Sequence, residues 1–285
     1  MTAFEPGVLA DDFTQVSRVL ADFFAARSPQ DWPRKTGQRA KDWTLQETLA
    51  HLAVTAQAVY AATEATLERL PVSFPGITRR ADLAAYNARE IAARGHLTPS
   101  ALADELLVIL SRCAGLCAAL TARELALSFV APFYNRPLTV AEALGWQLMH
   151  PGLVHAAQLA NGAGVRPLWM HYSPGLLHRQ MTRFFNIMSH SYWPERGGDL
   201  RASLNFNVAG PGGGQWHLTF SPDGGRAGEG AAARPALTLW LANMDVLCRL
   251  ITLQVSPLGA LLRGQVLVWG DIPLGFRVPY LCTPT

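Results

Sequence analysis

Lysine is almost missing from this chain: Lys35 and Lys41 are the only two among 285 residues, so arginine carries nearly all the positive charge. Charged residues are also scarce, at 16%, and the net charge is only +3. That excess is too small to imply a nucleic-acid partner. The one basic cluster is Arg34, Lys35, Arg39 and Lys41. It reads as a solvated loop face, with contact to an anionic ligand as the alternative. No apolar run approaches the roughly 18 residues of a membrane span. The opening MTAFEPGVLADDF lacks a basic start followed by an apolar core, so no signal peptide is expected. The four cysteines, Cys113, Cys117, Cys248 and Cys282, show no CxxC pairing and are too sparse for a disulfide scaffold. Cys113 and Cys117 fall on one helix face and are expected to be buried thiols, which points to the cytoplasm. A nucleophile–base pair and a phosphate loop are missing too. The run GPGGG lacks a GK[ST] ending and lies between strand-like segments, so it is a turn.

What is present is a long, apolar, globular chain, 49% hydrophobic. Its length exceeds one typical core, and two domains are expected. In residues 8–26, Leu9, Phe13, Val16, Leu20 and Phe23 form a stripe at helical spacing. Thr44 followed by Glu47 is a capping box opening a second helix. The run LPVSFPG breaks the chain, a third helix covers about residues 81–94, and Thr98–Pro99 starts a fourth. A fifth helix runs from Thr139 to about Ala160. Helices joined by loops predict an all-α bundle over 1–165. The helix stop NGAGVRP then leads to a second domain, 166–285, with a different grammar. There LRASLNFNV, QWHLTFS, ALTLWLA and QVLVWGD alternate in the manner of strands, and MDVLCRLITL and PLGALLRG read as helices. An α+β domain is expected.

Three histidines raise the question of chemistry. His51 lies on the apolar side of the second helix, where Glu47 one turn earlier is placed to orient it or to join it as a ligand. A lone core histidine with one hydrogen bond is the plainer alternative. His150 and His155 lie in LMHPGLVHAAQLA, five residues apart, with Pro151 between them. On a regular helix, residues five apart point about 140° away from each other.

The stretch DWTLQETLAHLA resembles the second helix of the DinB-like superfamily. YNAREIAARGHLTPSALADEL and VHAAQLA are similar to the N-terminal domain of mycothiol-dependent maleylpyruvate isomerases. The resemblance covers most of residues 10–160. It implies a four-helix bundle whose divalent metal is held by a helix-two histidine and a His/Glu-xxx-His pair on the last long helix. His51 matches the first ligand and His155 the last, but the middle position falls on Pro151, which has nothing to coordinate with. Pro151 therefore either deletes the site or re-registers it. An interior proline is often relieved by a π turn, whose i to i+5 ladder would bring His150 to His155. The expected metal set is then His51, His150 and His155, with zinc or nickel as the ion. The resemblance also implies a low-molecular-weight thiol, mycothiol or bacillithiol, and points to Trp43, Asn87 and Arg89 as substrate or thiol contacts. Helix-start packing for Trp43 and a solvated helix face for Asn87 and Arg89 are the alternatives. His96 reads as a surface residue.

The second half resembles a sterol-carrier-protein type-2 domain over roughly 195–282. Asn243–Asp245 form an acid-containing helix start, GQVLVWGD a strand, and PLGFRVPYL a last helix capped by Asp271. That family implies a five-stranded sheet with helices on one face and an apolar tunnel. Leu247, Leu250, Ile251, Leu253, Leu258, Leu261 and Leu262 are expected to form an aliphatic helical layer. The expected apolar-ligand contacts are Trp216, Trp240, Leu247, Leu250, Ile251 and Leu261, and complete closure as core is the alternative. Arg196 and Asp199 read as ordinary loop charges. The preferred functional expectation is a protein binding a small apolar or lipid-like ligand in this domain, with a bundle that no longer catalyses. The alternative is a divalent-metal- and thiol-dependent transferase or isomerase. A homodimer is an option raised by the DinB-like resemblance.

Overall fold

The computed structural model describes residues 2–37 and 42–282, so Arg39 and Lys41 of the basic cluster lie outside the described residues. The chain divides into two compact units. One comprises residues 1–130 and 138–172, the other residues 131–137 and 173–285.

The first unit is built from four long helices. Helix α1 (Pro6–Ala25) buries Leu9, Phe13, Val16, Leu20 and Phe23 along one stripe. Helix α2 (Leu45–Leu67) starts as the sequence predicts: the Thr44 hydroxyl accepts from the Glu47 amide, and the Glu47 carboxylate accepts from the Thr44 amide. Helix α3 (Leu83–Ala93) is short and mostly exposed. Helix α4 (Pro99–Ala119) has Thr98 as its cap and proline at its first position, and it buries Leu102, Leu106, Leu110, Cys113 and Cys117. It packs against both α1 and α2. All four cysteines are buried, and none forms a disulfide. A one-turn helix, α5 (Ala122–Leu125), leads into a short ladder between β1 (Ser128–Phe129) and β2 (Leu138–Thr139), which the sequence pattern did not reveal.

The fourth long helix is interrupted. Helix α6 (Val140–Met149) is capped by a second box, Thr139 with Glu142. Residues His150–His155 form a π turn, and helix α7 (Ala156–Ala163) completes the run. The cause is Pro151. It has no amide hydrogen to give to residue 147, and its ring crowds the preceding turn, so the ladder widens by one residue. The Tyr172 hydroxyl donates to the Gly152 carbonyl at 2.6 Å, satisfying one acceptor inside the widened turn. Gly164 ends the run in the left-handed conformation, φ 68°.

The second unit is one mixed sheet with helices packed on its apolar face. Helix α8 (Pro174–Ser191) and the single turn α9 (Pro194–Gly197) precede β3 (Ala202–Val208), β4 (Gly214–Ser221), β5 (Gly224–Glu229) and β6 (Leu237–Leu241). Helices α10 (Met244–Ile251) and α11 (Pro257–Leu262), strand β7 (Val266–Gly270) and helix α12 (Ile272–Cys282) follow. The strand order is β5-β4-β3-β6-β7, with β3 and β6 parallel and the other pairs antiparallel. Register places Leu204, Phe206, Trp216, Leu218, Phe220 and Leu237 on one face. Phe185 of α8 packs on Phe206, ring centroids 4.6 Å apart, and Tyr192 stacks on Phe220 at the same distance. The opposite face is polar over β3 and β4, where Ser203 bonds Thr219 and Gln215 bonds Asn207. Asp271 caps α12 through the Leu274 amide, as expected. Arg196 is more than a loop charge. It donates to the Tyr280 carbonyl at 2.8 Å and lies over the Trp193 and Tyr280 rings, tying α9 to α12. No helix among the described residues is long and apolar enough to cross a membrane.

The expected aliphatic layer does not form. Leu247 is buried, but Leu253 and Leu262 are 78% and 79% exposed, and Leu258 also faces solvent. Helical spacing identifies which residues share a face, but it does not show whether anything covers a helix of six or eight residues.

Candidate metal centre

The three histidines converge. One ligand atom from each of His51, His150 and His155 lies within 4.8 Å of the others. Helix α2 supplies His51 from its second turn, and the π turn supplies the other two from its ends. Within the turn, His155 Nε2 lies 3.0 Å from His150 Nε2. Of the two outcomes that Pro151 allows, the structure shows the re-registered geometry. The turn that removed the middle position of the His-xxx-His pattern also rotates His150 into line with His155.

Neighbouring groups orient the rings. Gln158, one turn beyond His155, places Oε1 2.6 Å from His155 Nδ1. The Thr55 hydroxyl lies 3.4 Å from His51 Nδ1 and donates to the His51 carbonyl at 2.7 Å. Trp146 stacks on His150 with centroids 4.4 Å apart and planes at 18°. Trp43 packs against His51 at 4.7 Å and lies 6.3 Å from His155. Burial pushes the His51 and His150 imidazoles well below their ordinary range, and the neighbouring rings add to the shift. It brings His155 down to about 4, against the opposing pull of the Gln158 hydrogen bond. All three rings are therefore neutral near pH 7, the form in which imidazole offers a lone pair to a metal.

This donor set fits a divalent ion. Two nitrogens on one tetrahedral zinc lie about 3.3 Å apart, from Zn–N bonds of about 2.0 Å. The Nε2 pair is already close to that spacing. Three imidazoles form the protein part of a catalytic site that keeps one position open.

Glu47 does not join the set. Its carboxylate accepts from the Thr44 amide at 2.7 Å and lies 4.0 Å from Lys35 Nζ, closing the cap rather than orienting His51. Of the expected thiol contacts, the structure brings only Trp43 to the rings. Arg89 is exposed, bonds Glu90 and lies over Tyr86 of its own helix. Asn87 is half-buried on that helix and gives no atom to the cluster. His96 is exposed. Sequence reasoning missed Trp146 and Gln158, although both stand at helical spacing from a clustered histidine, four residues before His150 and three after His155.

The expected apolar-ligand residues do not gather. Trp216 is buried against α8, and its Nε1 donates to Thr182 at 2.9 Å. Trp240 is paired with Leu267 on the opposite face of the sheet and is 54% exposed. Strand alternation is the physical reason: Trp216 pairs across from Phe206 and Trp240 from its neighbour Asn207, so the two rings point to opposite sides. Leu247 is buried, Leu250 and Ile251 are half-buried, and Leu261 is exposed. A cavity of about 260 Å³ in this unit is lined by Asp245, Val246, Arg249, Val255, Arg263 and Gln265, a mostly polar set.

Fold and ring cluster together define the class: a helical bundle with a three-histidine centre, followed by an α+β domain with a five-stranded sheet. The sequence profile of the mycothiol maleylpyruvate isomerase N-terminal domain matches residues 13–160, just over half the chain. That of the SCP-2 sterol transfer family matches residues 194–281. The chain belongs to the mycothiol maleylpyruvate isomerase N-terminal domain family and carries an SCP-2 sterol transfer domain after it. Among solved structures, a histidine-to-alanine mutant of the mycothiol-dependent maleylpyruvate isomerase is similar in fold. It has TM-score 0.51 and 14% identity, over 87% of this chain and 88% of that one. The unmutated isomerase gives TM-score 0.49 and 13% identity over the same shares. YfiT from Bacillus subtilis, of unusual four-helix bundle topology, gives 0.43 and 18% identity over 57% of this chain and 84% of that one. No curated protein matches the sequence at a significant level.

Proposed function

We propose that the bundle binds a divalent metal ion at His51, His150 and His155 and serves a thiol-dependent transferase or isomerase reaction. The observation that carries this reading is the π turn, which sets His150 Nε2 and His155 Nε2 3.0 Å apart beside His51. When bound, the ion would act as a Lewis acid that favours the thiolate form of a small thiol. The protein's own residues do the rest. The histidines bind in their neutral forms, Gln158 and Thr55 hold rings in place, and Trp43 and Trp146 pack against the His51 and His150 rings. The family, by its name, supports mycothiol as the low-molecular-weight thiol co-substrate. Four buried cysteines without a disulfide agree with a reducing, cytoplasmic compartment. The test is metal analysis of protein purified without chelators. Close to one equivalent of zinc or nickel is expected, falling on His51→Ala; less than about a tenth of an equivalent in the unmutated protein would end the proposal.

A second reading concerns the SCP-2 domain, which supports binding of a small apolar or lipid-like molecule. The observation in its favour is the apolar surface of α11 and of the turn before it, where Leu253, Leu258, Leu261 and Leu262 are all exposed. Mass spectrometry of an organic extract of the purified protein tests it. A co-purifying apolar molecule supports it, and a clean extract weighs against it.

A further inference from the structure

We propose that Gln158 is a positioning residue that decides which nitrogen of His155 faces the metal, an inference that rests on the metal reading above. The amide oxygen of Gln158 only accepts hydrogen bonds, and it lies 2.6 Å from His155 Nδ1. His155 Nδ1 therefore carries the hydrogen, and Nε2 keeps its lone pair. That lone pair faces His150 Nε2 at 3.0 Å. Two imidazole nitrogens at that distance share one hydrogen, so in the ion-free centre His150 Nε2–H is the donor. Loading then makes an unequal demand on the pair. His155 is already in its ligating tautomer, whereas His150 must give up its Nε2 hydrogen, to its own Nδ1 or to solvent. Pro151 brings the two rings together, and Gln158 makes one of them ready in advance.

The side chain of Gln158 is exposed, and it covers the outer edge of a buried ring. Its substitutions should therefore differ in a graded way. In Gln158→Ala, water can reach Nδ1 and take over the acceptor role. In Gln158→Leu, an apolar group covers Nδ1, leaves its hydrogen without an acceptor and favours the other tautomer. In Gln158→Glu, a carboxylate accepts the same hydrogen more strongly and makes the ring a better ligand.

The experiment is zinc affinity by chelator competition, paired with long-range proton–nitrogen NMR of the imidazoles in metal-free protein. Unmutated protein should show His155 as the Nδ1–H tautomer and His150 as the Nε2–H tautomer. Gln158→Leu should mix the His155 tautomers and weaken zinc by about 10-fold to 100-fold. Gln158→Ala should lose less, and Gln158→Glu should bind zinc at least as tightly as the unmutated protein. If Gln158→Leu keeps both the tautomer and an affinity within about threefold, below the effect of losing an outer-shell partner, the proposal is overturned while the metal reading stands. If the unmutated protein binds no zinc, both fall together. Because position 158 is exposed, all three variants should keep the circular dichroism spectrum of the parent.

Discussion

His155 Nε2 lies 3.0 Å from His150 Nε2 because Pro151, next to the first of them, turns an α-helical step into a π turn. On an unbroken helix those two side chains would diverge by about 140°. Pro151→Ala restores the missing amide hydrogen and removes the ring that crowds the preceding turn. The expected outcome is a helix closer to regular, with His150 displaced from the pair and zinc held by two histidines instead of three. Zinc affinity by chelator competition should fall by at least about tenfold, while thermal stability holds or rises, since interior proline disfavours a helix by roughly 3 kcal/mol. Unchanged zinc affinity in this variant would mean that the turn does not create the site.

The neutral histidines should make the metal-free protein sensitive to acid. His155 titrates near 4 in the folded chain and near the ordinary imidazole value of 6.5 when unfolded. Between those values the unfolded state takes up the proton and the folded state does not, so stability falls as pH drops from 6.5 toward 4. For His155 alone the full loss is roughly 3 kcal/mol; His51 and His150, shifted in the same direction, add to it. Carboxylates also titrate near the lower end of this window, so the comparison is with His155→Asn. Denaturant unfolding of metal-free protein at pH 7 and pH 4.5 should show a shallower pH dependence in the variant, and parallel curves would contradict the assignment.

Thr44 and Glu47 were legible because a capping box is a local code: each partner satisfies an amide of the other, and nothing distant is needed. Local reading also misled there, since a carboxylate one turn before His51 looks like a ligand until its cap is seen. The π turn was legible as one of two outcomes, because a proline states that the ladder breaks but not how the break is repaired. Gln158 carries a spacing signal, but it acquires a chemical meaning only where its amide oxygen is seen 2.6 Å from His155 Nδ1. In the second unit, β5 was hidden. Its sequence GGRAGE has no apolar alternation, and Gly225 is there for close approach. A Cβ at Gly225 would lie 2.5 Å from the Ser189 carbonyl oxygen of α8. Alternation marks Trp216 and Trp240 as strand residues, but the opposite facing of the two rings depends on cross-strand register, which one strand at a time does not contain.

The division of labour between Glu47 and the histidines gives a clean contrast. Glu47 is 43% exposed at its side chain and closes the cap of α2. Glu47→Gln keeps an acceptor for the Thr44 amide and should leave zinc affinity unchanged within about twofold, with a small stability cost. Thr44→Ala removes the hydroxyl that accepts from the Glu47 amide and should cost about 1 kcal/mol in chemical denaturation. A tenfold loss of zinc in Glu47→Gln would place the carboxylate in the ligand set after all, against the geometry of the cap.

The contact between α8 and β5 sets the last expectation. The two elements pack so closely that the Gly225 backbone meets Ser189 and Tyr192 of the helix end. A methyl group there would lie 2.5 Å from a backbone oxygen and 3.0 Å from Tyr192 Cβ, and neither of those atoms is the end of a flexible side chain. The helix must lift from the strand to admit it, which loosens the stacking of Tyr192 on Phe220. Gly225→Ala should therefore destabilise the second unit by about 2 kcal/mol, the scale of overpacking a core. The histidine centre belongs to the other unit, so zinc affinity in the same variant should not change. Chemical denaturation followed by hydrogen exchange of the β4 and β5 amides reports the first effect and chelator competition the second. A variant that loses zinc as well would show that the two units are coupled, and one that loses neither would show that α8 yields more easily than its contacts imply.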